Sequence, residues 1–482
     1  MRDPVATTRG RGYSRTVRET IREPARDTPV YGHCDVLVLG GGPGGTAAAI
    51  GAAAAGADTV LVERYGHLGG LASGGHVCYI DRMTDWDGRL VVGGLGQEFM
   101  DRCGVEAGGI IGPEREYWGS RDAELVEYWG PRWNAHRGVV CWSPTIDPEM
   151  LKLASNDLVR ERGVRTLFHC WAVAPVMRED ASVPTVGGAL FESKEGRFAI
   201  RAAVTIDCTG DGDIFAAAGA AFETNRDPDT IHSCVNTSGR FGGVDTERFW
   251  HFRTCDVEGY KAKLQQAREA GAVIRAPVLP REGQVLSMHP KYQGYSAIKV
   301  ADLTEVEFRS RDDLRRGLAW WRRHMPGWEH AYLLETADQI GVRHSRRLVG
   351  EVRITLDQWK RSGRHADSIG LCPGVSPEYP TLEIPYGSLV PCELEGLLVA
   401  GRNLSCDVRS HNPLREIPEC WVMGQGAGVG AALAVSHGVA ARAAPMAEMQ
   451  AELRRQGAVV TPPEHADRAE LTAAGQGTDG GR

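Results

Sequence analysis

The sequence predicts an α/β fold in which the first and last parts of the chain build one parallel-sheet unit around a central α+β insertion. Three observations predict it. An apolar strand runs into a glycine-rich turn and an alanine-rich helix at residues 35–55. A second short apolar strand, Leu397-Leu-Val-Ala-Gly401, returns near the other end and is followed by a small-residue helix. Between them lies a long mixed stretch with helix and strand patterns of both periods.

Val36 to Leu39 is continuously apolar, as a strand covered on both faces by helices must be. In the turn Gly40-Gly-Gly42-Pro43-Gly44-Gly45, Gly40 permits the tight bend and Gly42 lets backbone approach a pyrophosphate. Gly45 lets the following helix pack closely on the strand, so that the helix N-terminus faces the anion. The helix leads to a second apolar strand, Thr59-Val-Leu-Val62, ending in Glu63 and Arg64. An acid about 20 residues past the glycines accepts hydrogen bonds from a ribose and disfavours a 2′-phosphate, so FAD or NAD fits better than NADP.

With 482 residues, 42% hydrophobic and 24% charged, the chain has the composition of a globular protein of two or three units. A net charge of −7 offers no basic footprint for nucleic acid, and no apolar run approaches a membrane span. The arginine-rich start lacks the apolar run of a secretion signal. The 12 cysteines contain no CxxC pair, which argues against a structural zinc site, an iron–sulfur module or a dithiol, so no metal is expected and a cytoplasmic location fits.

The expected organisation is a flexible arm over 1–33 and nucleotide-binding segments over 34–75, 149–224 and 386–443. An aromatic-rich insertion covers 76–148, a substrate or cap unit covers 225–385, and the tail over 444–482 is expected to be mostly disordered. Expected elements include a helix over 148–162, a strand over 166–173, a hairpin over 187–200, helices over 257–270, 311–321 and 330–341, and a helix over 424–434. The glycines of 424–430 follow no strand of suitable length, so no second, nicotinamide-binding unit is expected.

Five ordered patches resemble the FAD-dependent oxidoreductase family of the glutathione-reductase-like superfamily. They are Gly40 to Gly45; Glu63 through Gly69-Gly70-Leu71-Ala72 to Gly75; Val204 through Thr209-Gly210-Asp211 to Asp213; Ile340 through Arg343 to Arg347; and Leu398 through Gly401-Arg402 and Arg415 to Gly424-Gln425-Gly426. The resemblance implies a discontinuous Rossmann-like FAD-binding domain with an inserted α+β substrate domain. It implies that Ala172 and Val173 line the adenine, that Gly401 and Arg402 lie near the ribityl chain, and that a helix beginning near Gly424 aims its positive end at the flavin. Position 344 is His where the family often has Glu, which puts any role carried over to it in doubt.

The implied reaction is hydride removal from a small organic molecule, with electrons leaving to oxygen or a carrier. Such a reaction needs a base or hydrogen-bond partner. In the polar stretch from Cys406 to Glu419, His411 is the candidate base, Asp407 its orienting acid and Arg415 an anion clamp or flavin modulator. Arg343 with Arg346 and Arg347 is suited to a carboxylate, the flavin phosphates or an interdomain acid. His76 or Cys78 are the candidates for a covalent flavin link. The aromatic insertion and Trp320, Trp321 and Trp328 either wall an apolar pocket or form core. A partner-fed reductase or desaturase, a monooxygenase and a non-catalytic flavin subunit are the alternatives, and a homodimer is left open.

Overall fold

A computed structural model of the chain describes residues 20–106, 108–224, 234–274 and 279–462. Its main sheet has seven strands: β1 (Val30–Leu39), β2 (Thr59–Val62), β3 (Arg165–Leu167), β4 (Trp171–Met177), β5 (Val186–Ser193), β6 (Gly196–Asp207) and β7 (Leu397–Val399). The order is β3-β2-β1-β6-β5-β4, parallel from β3 to β6 and antiparallel from there outward, with β7 parallel to the end of β6. Because Leu39 pairs with Asp207 and Asp207 with Val399, the carboxyl ends of three adjacent strands open side by side. A ligand crevice belongs at such a place in a parallel sheet.

Helix α1 (Pro43–Ala54) is apolar all round and buried from Gly44 to Ala52, which requires a helix on its other side. That neighbour is α7 (Ile417–His437), and among the described residues the pair makes the most extensive interhelical contact. Glycine at two positions four apart explains it. A Cβ on Gly424 would lie 2.1 Å from the Gly44 carbonyl oxygen, and one on Gly428 would lie 2.1 Å from that of Ala48. The two backbones therefore touch where any side chain would hold them apart.

Further helices include α2 (Gly70–Ser73), α3 (Pro148–Glu161), α4 (Asp213–Ala217), α5 (Val300–His324) and α6 (Val408–Leu414). A separate core forms around Phe241, Phe249, Leu314, Trp321 and Trp328. Val306, Ser310, Leu314, Gly317 and Trp321 are the buried stripe of α5, at helical spacing. Trp321 and Trp328 are fully buried, and Trp118 stacks on Trp142 at 5.1 Å, so these indoles are core and not pocket wall.

Three of the expected elements need correction. The strand over 166–173 is two strands, β3 and β4, because the chain turns through His169 at φ 59. The helix over 330–341 is instead the strand Tyr332–Thr336, paired with Gly239–Gly242; its outward and inward residues alternate, which suits a sheet and not a helix. The helix over 311–321 extends over the whole of α5.

The tail is ordered as far as residue 462. Helix α8 (Met446–Arg455) buries Met449 and Leu453, the Gly94 N–H donates to the Gly457 carbonyl at 2.8 Å, and the Ser368 hydroxyl donates to the Val460 carbonyl at 2.7 Å. Residues 463–482 lie outside the described residues. At the other end β1 begins at Val30, inside the expected arm, and residues 1–19 lie outside the described residues. Among the described residues no helix is long and apolar enough to cross a membrane.

Candidate flavin site and its neighbouring cavities

A cavity of about 570 Å³ opens at the carboxyl ends of β1, β6 and β7, within the usual range for a small-molecule site. Gly40, Gly42, Pro43 and Gly44 form part of its wall. Gly40 has φ 98, and Gly42 caps α1 without any side-chain hydrogen bond, so the first-turn N–H groups of α1 are offered to a ligand. Across the cradle stands Gly70, where a Cβ would come within 2.6 Å of the Gly42 Cα. Bare backbone on both sides is what a diphosphate needs. Gly45 faces the other way, where its Cβ would lie 1.7 Å from the Gly40 carbonyl oxygen, so it serves the strand–helix contact and does not touch the cavity.

Glu63 is buried and lines the same cavity. Its carboxylate accepts from the Gly41 and Tyr65 N–H groups, which fix its orientation and leave lone pairs for a ribose. Arg64 stands over the Trp171 ring at 5.1 Å, and both line the wall beside Ala172. Val173, next along β4 where the pairing with β5 is irregular, is 40% exposed and is not part of that wall. Leu71 lines the cavity. Gly69, at φ 91, caps α2, and Ala72 is buried within α2, so these two support the turn from behind.

Thr209, Gly210 and Asp211 complete this part of the wall. Their conformation is set by Asp207, a fully buried acid at the end of β6. One of its oxygens accepts from the Thr209 N–H at 3.0 Å and hydroxyl at 2.7 Å, the other from the N–H groups of Ile214 and Phe215 at 3.0 and 2.9 Å. Burial pushes its carboxyl above the usual range, against the pull of those donors. Asp211 accepts from Ser345 at 2.6 Å and from Arg402 at 3.2 Å, while Arg346 binds the Asp211 carbonyl at 2.9 Å and Asp213 at 3.0 Å. Gly401 and Arg402 thus meet the Thr209–Asp211 turn from the β7 side.

The rest of the wall carries Tyr79, Asp81, Trp133, Asn236, Arg343 and Arg415, with Glu416, Ile417 and Cys420 from the start of α7. Arg415 pairs with Glu416 at 2.9 Å and Asn412 at 2.8 Å. Arg347 turns away to Glu223 at 3.0 Å. Of the three arginines in that patch, Arg343 and Arg346 reach the cavity. A second cavity of about 330 Å³ shares Asp81 and Glu416 with this wall. A third, about 890 Å³, lies between the aromatic insertion and Asp245–Thr254; it shares Trp133 but none of the glycine turns, so the dinucleotide cradle is not there.

The cradle fits FAD: bare helix N-terminus, facing glycines and an oriented acid are present together. The family model described as FAD dependent oxidoreductase matches residues 35–453. The chain belongs to that FAD-dependent oxidoreductase family. It is therefore a flavoenzyme that uses FAD for redox chemistry. No curated protein sequence matches it closely enough to count as a relative.

Solved structures similar to this flavoenzyme include a geranylgeranyl bacteriochlorophyll reductase-like protein of Thermoplasma acidophilum, at 13% identity, covering 88% of this chain and 82% of that one, with TM-score 0.41. A myxobacterial chondrochloren halogenase matches at 12% identity, covering 88% and 79%, with TM-score 0.42. A flavin-dependent brominase matches at 13%, covering 88% and 83%, with TM-score 0.41. These values transfer no reaction to the present oxidoreductase.

Several expected site residues lie elsewhere. Helix α7 of the oxidoreductase starts at Ile417, seven residues before Gly424, because Pro418 suits a first helical turn. Its N-terminus is what meets the cavity. Gln425 and Gly426 are buried in the helix interior, where Gln425 accepts from the Leu95 N–H at 3.3 Å and donates to Gln456 at 3.1 Å.

His411 is not a base facing the cavity. It is fully buried in α6, donates Nε2–H to the Arg402 carbonyl at 2.6 Å, and places Nδ1 2.8 Å from His344 Nε2. A carbonyl can only accept, so Nδ1 is the acceptor from His344. Burial, then the neighbouring His344, pushes His411 well below the usual imidazole range. Asp407 does not orient His411 through its side chain; it caps α6 at the Ser410 N–H, 2.7 Å away. His76, with φ 55, is buried against Glu335 at 3.4 Å, and neither it nor Cys78 is part of the cavity wall.

Sequence reasoning missed Asp207, Tyr79, Asp81 and His136. Asp207 was legible as the acid that ends the strand before Thr209; the other three carry no local motif.

Proposed function

We propose that this flavoenzyme is an oxidase or dehydrogenase that removes hydride from a C–OH, C–N or CH–CH unit of a small organic substrate. Bound FAD supplies a two-electron acceptor for that hydride. The observation that carries the reading is the continuity of one cavity from the dinucleotide cradle to a wall of mixed character. Trp133 and Ile417 give that wall apolar surface for a carbon skeleton, and Asn236, Tyr79 and Asp81 give it hydrogen-bonding groups. Arg343 and Arg415 bring two guanidinium groups suited to an ionised substituent. Lys291 adds a third cation, and Asp81 and Glu416 offset part of that positive charge. Among the described residues there is one parallel-rich sheet and no second nicotinamide-binding unit, which favours electrons entering from the organic substrate. Oxygen or an electron carrier then takes them away.

The test is anaerobic mixing of the holoenzyme with a panel of alcohols, amines and saturated acids, reading loss of the flavin's visible absorption, then admission of air or a carrier dye. Bleaching by one class and recovery on reoxidation support the reading. Stoichiometric FAD that no donor bleaches, together with bleaching by NADPH, would turn the assignment to a monooxygenase or reductase.

A further inference from the structure

The cofactor cavity and the smaller cavity beside it are joined by a pair of side chains. Tyr79 lines the first, His136 lines the second, and the tyrosine hydroxyl lies 3.0 Å from His136 Nε2. The same hydroxyl lies 3.2 Å from the Trp133 carbonyl. It therefore has two positions for its one proton. It donates to Nε2 when that nitrogen is bare, and to the carbonyl when Nε2 carries a proton.

Local backbone holds this arrangement. Ala135–His136 pairs with Val139–Val140 across a turn in which Arg137 and Gly138 have φ 50 and 75, and Trp133 has φ 66. The positive φ of Arg137 and Gly138 is what a two-residue hairpin turn asks for, so the turn fixes where His136 stands on its strand. Trp133 also packs edge-on against Tyr79 at 5.0 Å. His136 itself is half-buried, so water in the second cavity can reach its ring.

We propose that Tyr79 and His136 form a proton relay between the substrate and solvent. The inference rests on the hydride reading above and supplies the base that His411 does not provide. When the donor's C–H bond breaks toward the cofactor with its electron pair, the O–H or N–H proton of the donor passes to the Tyr79 oxygen. The Tyr79 proton passes to His136 Nε2 in the same step, so no free phenolate forms. The hydroxyl turns to the Trp133 carbonyl while Nε2 carries the proton, and the imidazolium releases that Nε2 proton to water admitted through the second cavity, which restores bare Nε2 with the ring's other proton kept on Nδ1. One hydride and one proton leave the donor, and the proton ends in solvent.

Burial favours the neutral imidazole, Asp81 opposes this and Arg82 supports it. Burial likewise favours the neutral phenol. Arg137, Glu416 and Glu419 complete the charged lining of the second cavity around His136.

The test uses holoenzyme and whichever donor bleaches the flavin in the panel above. Tyr79→Phe and His136→Gln should keep wild-type FAD content and visible spectrum and slow bleaching by about 100-fold each, the low end of what a positioned acid–base group contributes. The double variant should be no slower than either single one. Imidazole should restore His136→Ala through the open second cavity and leave Tyr79→Phe slow, which a structural role for His136 would not produce.

A second readout needs no turnover: the NMR titration midpoint of His136 should shift in Tyr79→Phe, because the hydroxyl that meets Nε2 in both of its protonation states has been removed. Near wild-type bleaching in the His136 variants overturns the relay, and so does an unchanged His136 midpoint. If no donor bleaches the flavin, the hydride reading fails; the titration then decides whether the pair is coupled at all, and an unshifted midpoint rejects it.

Discussion

Gly428→Ala tests the backbone contact between α1 and α7 on which the cofactor cradle rests. The new methyl carbon would start 2.1 Å from the Ala48 carbonyl oxygen and 2.9 Å from the Ala52 nitrogen. Non-bonded heavy atoms settle near about 3.5 Å, so the helices must separate by about 1.4 Å or bend. Neither obstacle is a side chain that can rotate away. Overpacking of this kind costs about 3 kcal/mol at the upper end of its range. The gain in helix propensity from replacing glycine offsets about 1 kcal/mol of that. The net expectation is a loss of about 2 kcal/mol, with release of FAD at lower denaturant because α1 presents the diphosphate cradle.

Urea unfolding followed by far-UV circular dichroism, with flavin fluorescence as a second probe, measures both. Gly32→Ala is the control: nothing lies within 4 Å of its Cβ position, so it should be near neutral. A Gly428→Ala protein as stable as wild type, or more stable, would refute the contact. It would mean that propensity alone governs this position.

Two further outcomes follow from the site. Glu63→Gln replaces a charged acceptor, and a hydrogen bond to a charged group contributes about 1.5–3 kcal/mol, so FAD affinity should fall by about 10- to 100-fold in a fluorescence titration of the apoprotein; an unchanged Kd would remove Glu63 from the ribose contact. For His411, the folded pKa lies well below its ordinary value of 6.5 because burial and His344 oppose its charge. Its contribution to stability is complete above about pH 6.5 and is lost as the pH falls from there towards and through the folded value. Unfolding midpoints of wild type should therefore decline between about pH 7 and pH 5 more steeply than those of His411→Gln, and parallel declines would contradict the buried neutral imidazole.

The departure of position 344 from the family pattern has a physical account. His344 is the donor that satisfies Nδ1 of His411, which in turn holds the Arg402 carbonyl, so the unusual residue is part of a buried chain behind the cavity. His411 sits among acids and arginines in the sequence and looks like a solvated loop residue. Folding of 408–414 as a helix carries it inward, and no local pattern announces that.

What the sequence determined by itself is the part of the molecule whose chemistry is local. The turn Gly40–Gly45, Glu63 at the end of the second strand and the Thr209–Asp211 turn are short segments in which each residue type answers a backbone or hydrogen-bond need visible within about 25 residues. Those residues appear where the reading put them, at the carboxyl ends of β1, β2 and β6. Tertiary structure decided the rest, because the remaining contacts join distant segments. Gly424 and Gly428 read in sequence only as part of a small-residue helix, and in space they are the seam between α7 and α1. Trp321 and Trp328 are as aromatic as Trp133, and only packing separates core from cavity wall. Tyr79 and His136 lie 57 residues apart in a stretch without a motif, and what places the hydroxyl of one against the imidazole of the other is the way the aromatic insertion folds over the sheet.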